Sequence, residues 1–217
     1  MTEGQPVPEP FACTAPLTVC VDVKHPHTYL TLGPVRRFAA ERGVEVDWLP
    51  FPAAGLKPPP PPGDDRGIRH RRFRAAYWAS EIERYAGAQG IHIDDPFRSA
   101  DSTLVSLAHL WLRERAPERV PDLLAAACQR HWDRSLDITD PAQVTRMLAD
   151  IDGAAEGFSA FAAGPGPAAL AVLRKRLVAA GVFTVPSLIV DDDVFVGRAH
   201  LPMVAWILDG RQGPPPI

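Results

Sequence analysis

Short runs of branched apolar residues bracket a long middle section of helical period. Leu17 to Val23 is apolar and β-branched and predicts a buried strand. A helix is expected to open at His25-Pro26, since proline is tolerated at a first helical position. It should bend at Gly33-Pro34 and close at Arg42, with Gly43 as C-terminal cap. Val44 to Phe51 predicts a second strand, and this strand–helix–strand spacing makes the two strands parallel. Pro52 to Arg66 reads as a proline-rich loop. In the next helical region Phe73, Tyr77, Ile82 and Tyr85 fall loosely on one side. Leu104, Leu107, Ala108 and Trp111 follow helical spacing more closely. Further helices are expected over 123–132, from a cap at Asp140-Pro141 to about 151, and through Leu170, Leu173 and Leu177 to near Gly181. The period then switches. Ser187 to Gly197 predicts a hairpin joined at Asp191 to Asp193, and a last helix covers about 200–208. No internal repeat is visible.

Composition changes this picture little. The 217 residues are 46% apolar and 23% charged, enough for a real core, and the net charge of −3 argues against a general nucleic-acid binder. No apolar run approaches a membrane span, and the first residues carry no basic, apolar export signal. Cys13, Cys20 and Cys128 form no CxxC pair and no disulfide framework, so the cytoplasm is the expected compartment. No HxxxH or CxxC spacing points to zinc, and no glycine loop points to phosphate. Asp191 to Asp193 suits a hairpin turn better than a metal site. Proline, with 24 residues, is concentrated at Pro58 to Pro62 and in the tail.

The order βαβ, helices, ββα is that of an α/β thioredoxin-like fold with an inserted all-helical subdomain. Residues 16–65 and 180–210 would form the thioredoxin-like domain and 66–179 the insertion, with a disordered leader over 1–15 and a flexible tail over 211–217. Two local sequences sharpen this reading: Asp22 to Leu30 at the strand-to-helix junction, and Gly181 to Ile189 before the hairpin. Together they resemble the DsbA-like family, and within it the branch of 2-hydroxychromene-2-carboxylate isomerases and kappa-class glutathione transferases. The resemblance extends to Trp48 to Phe51, Tyr77 to Arg84, His131 to Asp133 and Leu136 to Pro141.

The resemblance implies a site at the start of the first helix, where unpaired backbone N–H groups and the helix dipole favour an anion. It implies a cis proline at Val185-Pro186 facing that point, with the backbone before it pairing with a peptide thiol as an added strand would. Redox relatives carry Cys-Pro-His-Cys there, and isomerase and transferase relatives carry Ser-Pro. Here the quartet is His25-Pro26-His27-Thr28. Dithiol exchange needs an attacking and a resolving thiol, so that activity is not expected. A neutral His25 could take the proton of a bound thiol or hold its thiolate by an N–H bond, with His27 and Thr28 beside it. Pro26, Val185, Pro186 and Arg198 are expected to bind the cofactor, glutathione or another low-molecular-weight thiol, without metal. Ala199 stands where the family keeps an acidic residue for an ammonium group. Tyr29 and Trp132 are expected in the substrate pocket.

The implied activity is that of an isomerase or transferase on a small aromatic or hydrophobic acid. The implied partner is a small molecule rather than nucleic acid or membrane, and relatives of this kind are often homodimers. A catalytically degenerate binding module is the alternative, in which His25 merely caps the helix. A cleft reaching His25 would favour the enzyme; one filled by Tyr29, Trp132 or Pro58 to Pro62 would favour the module. A redox protein based on Cys20 would require that thiol to be exposed. The cluster Arg66, Arg69, His70, Arg71, Arg72 and Arg74 could steer an aromatic carboxylate, or simply solvate a helix face.

Overall fold

A computed structural model describes residues 15–153 and 155–216. The expected leader lies outside the described residues except for Ala15, as does Cys13. Strand β1 (Leu17–Val21) is buried at every position, as its continuous apolar run requires. Helix α1 (Pro26–Arg42) begins at proline and ends at Gly43, whose φ of 63° is the left-handed cap conformation. It runs continuously through Gly33-Pro34. Proline at 34 cannot donate to the carbonyl of Leu30, and the Gln89 side-chain amide donates to that carbonyl instead, at 3.1 Å. Strand β2 (Val46–Pro50) pairs parallel to β1, with Leu17 opposite Val46 and Val21 opposite Pro50.

The chain then leaves the sheet for helices α2 (Arg66–Gln89), α3 (Thr103–Arg113), α4 (Val120–Trp132), α5 (Pro141–Asp152), α6 (Phe158–Ala163) and α7 (Gly166–Ala179). Asp140 caps α5, accepting from the Ala142 and Gln143 amides. Helix α6 has no counterpart in the sequence reading, because six residues between two glycines carry too little periodicity. The chain returns as β3 (Ser187–Val190) and β4 (Asp193–Val196), and closes with α8 (Leu201–Leu208). The sheet order is β2-β1-β3-β4, with β3 antiparallel to both neighbours.

One large apolar core joins the sheet to α1, α3, α4 and α7. Helix α2 keeps only Ile82 of the expected apolar side. It buries Ala75, Ile82 and Ala86, whereas Phe73, Tyr77 and Tyr85 are exposed. Helix α3 is tied to β2 by a bidentate pair, with Arg113 Nε and Nη2 donating to the two Asp47 carboxylate oxygens at 2.7 Å each. No helix among the described residues is long and apolar enough to cross a membrane.

Candidate functional site

The start of α1 is set by a tight turn. The His25 amide donates to the Asp22 carbonyl at 2.9 Å, and the Thr28 amide to the His25 carbonyl at 2.9 Å. His25 takes the cap position in extended conformation (φ −95°, ψ 119°), but its side chain makes no capping bond. The residue is 6% exposed, and its Nδ1 has no hydrogen-bond partner among the described residues. Burial, then the neighbouring His27 and Lys24, push its pKa down to about 3, so the imidazole is neutral at physiological pH. Behind it, Asp22 is buried. Its carboxylate accepts from the Ala53 amide at 2.8 Å and the Lys24 amide at 3.2 Å, with the Lys24 ammonium 3.6 Å away. Burial raises its pKa against these partners.

His25 faces a cavity of about 760 Å³. Helix α1 contributes His27, Thr31 and Pro34 at helical spacing; Thr184, Val185 and Pro186 form the opposite wall. The peptide bond between Val185 and Pro186 is cis. The outer wall is α2, through Tyr77, Trp78, Glu81 and Tyr85. Glu81 links the three sides: one carboxylate oxygen lies 3.4 Å from His27 Nε2 and the other 3.9 Å from Arg198. The Arg198 guanidinium stacks on the Tyr85 ring at 3.8 Å. The His27 ring lies 5.4 Å from that of His25 and edge-on to Trp78 at 5.2 Å. Burial lowers the His27 pKa, and Glu81 opposes that shift.

The sequence-derived residues divide. His25, His27, Val185, Pro186 and Arg198 meet at the cavity. Thr28 does not line it: the residue is fully buried, and its hydroxyl accepts from the Asp22 amide at 3.2 Å. Pro26 is buried at the first helical position, also outside the lining. Tyr29 packs against the main core, and Trp132 is 1% exposed with its ring against His131, so neither borders the expected substrate pocket. Cys20 is fully buried within β1, the opposite of what a Cys20-based redox site requires. Sequence reasoning missed Thr31, Trp78 and Glu81. Trp78, Glu81 and Tyr85 are spaced i, i+3 and i+7, a stripe that could have been read from the sequence.

A family model described as the DSBA-like thioredoxin domain matches residues 17–209. A search of curated proteins gives no match. Among solved structures, a 2-hydroxychromene-2-carboxylate isomerase is similar at a TM-score of 0.67 and 16% identity, over 90% of this chain and 94% of its own. A probable DsbA oxidoreductase from Streptomyces coelicolor gives a TM-score of 0.68 at 18% identity, covering 94% and 93%. The cytosolic disulfide reductase DsbM from Pseudomonas aeruginosa gives 0.62 at 19% identity, covering 90% and 98%.

Proposed function

Because the chain belongs to the DSBA-like thioredoxin domain family, we propose that it is an isomerase- or transferase-like member that acts on a small aromatic or hydrophobic acid with the help of a low-molecular-weight thiol, and that it does not carry out dithiol exchange. The carrying observation is the buried, neutral His25 ring in the wall of an open cavity. The quartet of residues 25–28 offers no thiol for exchange.

A small thiol fits these residues. Val185 and Pro186 would lie along its peptide part, Arg198 would receive a carboxylate, and the His25 ring would border the sulfur. When bound, the thiol supplies a nucleophilic sulfur able to add reversibly to a conjugated acid. With a pKa of about 3, His25 is a poor base at neutral pH, so its contribution is an N–H held toward developing negative charge, added to that of the α1 N-terminus. Glu81 keeps His27 and Arg198 in place around it. The open cavity supports an enzyme over a degenerate binding module, since Tyr29, Trp132 and Pro58 to Pro62 are all absent from its lining.

Thermal unfolding with millimolar glutathione, cysteine or coenzyme A tests the reading. At least one thiol should raise the midpoint of the wild type and of Cys20→Ala, but not of His25→Ala. Equal shifts in wild type and His25→Ala, or no shift with any thiol, would overturn it.

A further inference from the structure

Five consecutive prolines, Pro58 to Pro62, follow Lys57 in the loop between β2 and α2, and none of them lines the cavity at His25. The peptide bonds preceding all five are trans. Each ring fixes its own φ at about −65°, and each proline keeps the residue before it out of the helical region. Lys57 to Pro61 are therefore held extended, and the run is a left-handed polyproline II helix with three residues per turn. That period puts Pro58 and Pro61 on one edge, Pro59 and Pro62 on a second, and Pro60 on the third. Burial follows it: Pro58, Pro59, Pro61 and Pro62 are exposed, and Pro60 alone is half-buried. The run is fastened where it turns inward, since Arg72 of α2 donates to the Pro60 carbonyl at 2.9 Å. Its flanks are fastened too. The Ala53 amide donates to Asp22 at 2.8 Å, and Asp65 caps α2 by accepting from the Ile68 amide at 3.0 Å. One end is basic, where Lys57 gathers with Arg71 and Arg74, and the other is acidic, at Asp64 and Asp65.

We infer that this strip is a docking surface for a partner protein whose groove is lined by parallel aromatic side chains, with carboxylates at the end that receives Lys57. Shape supports it: two exposed proline edges are the ridges that such a groove packs between. Rigidity supports it, because the rings and the Arg72 contact fix the backbone before any partner arrives, so docking costs little conformational entropy. Charge supports it as well. A basic start and an acidic finish set the direction in which the strip lies in the groove. The strip stands outside the cavity at His25, so docking is a role separate from the reaction proposed above.

Titration of the full chain into isotope-labelled SH3, WW and EVH1 domains, whose aromatic grooves read proline runs, provides the test. Groove resonances of at least one domain should shift, and the same domain with its groove tryptophan replaced by alanine should not respond. Pro59→Ala/Pro62→Ala interrupts one exposed edge and should weaken binding about fivefold or more. Lys57→Glu should weaken it about threefold at low ionic strength and less at high salt. Pro214→Ala/Pro215→Ala takes two prolines from the tail instead and should bind like the wild type. Both loop variants change exposed side chains, so their far-UV spectra should match that of the wild type. A strip that is merely a rigid spacer predicts no shift in any of the three domains. That result, equal loss in the loop and tail proline pairs, or binding indifferent to both loop variants each overturns the inference.

Discussion

An imidazole sealed from water costs little only while it stays uncharged. Burial lowers His25 and His109 to about 3 and His131 to about 4. Each folded value lies below the ordinary value of 6.5, so the unfolded chain binds the extra proton first as pH falls. Their contribution to stability is therefore complete above about pH 6.5 and is lost on acidification toward the folded values. Between pH 7 and 5.5 each should cost about 1 kcal/mol of unfolding free energy. His109 is a clean case: its Nε2 donates to the Trp48 carbonyl at 2.9 Å, and it is not among the residues lining the cavity. In urea titrations, His109→Gln should lower stability at pH 7 yet flatten the fall to pH 5.5 by about 1 kcal/mol. An unchanged slope would mean that His109 is not locked neutral. At this scale the sequence placed His25 at the start of α1, because a residue before a helical proline stands at the helix end whatever surrounds it. Thr28 misled. Its hydroxyl is turned inward to the Asp22 amide, a choice that depends on β1 and is invisible in the local pattern.

At the scale of elements, the bidentate Arg113–Asp47 pair holds the helical block to the sheet, with side chains only 23% and 11% exposed. Removing one partner leaves a poorly solvated charge, so Arg113→Ala should cost about 2 kcal/mol. Arg36 and Asp122 are 48% and 42% exposed and lie 3.4 Å apart, so Arg36→Ala should cost under about 0.5 kcal/mol. Denaturant midpoints of the two variants distinguish these cases; similar losses would refute the ranking. Elements with strong punctuation were legible: α1 between Pro26 and Gly43, and α5 after Asp140. Helix α2 was legible as a helix but not in its orientation. Its aromatics serve a cavity and solvent while Ala75, Ile82 and Ala86 pack, so apolar periodicity found the buried face only at Ile82.

For the whole molecule, burial of both Cys20 and Cys128 makes thiol labelling a report on global opening. Both are 0% exposed, and burial pushes the Cys128 thiol above its ordinary pKa. In a Cys13→Ala chain, iodoacetamide should react at the rate at which urea unfolds the protein; rapid modification under native conditions would contradict the packing. The fold was readable from the order of its strands and helices. The site was readable only in part, because its walls come from α1, the loop after β2, α2, the turn before β3 and the segment after β4, which meet only once the chain has closed. With just Ala75, Ile82 and Ala86 anchored in the interior, most outward positions of helix α2 can mutate at a cost within about 0.5 kcal/mol. Ligand preference can therefore drift along this one helix over generations while the β-sheet and His25 stay as they are, which lets a lineage try new chemistry without rebuilding its scaffold.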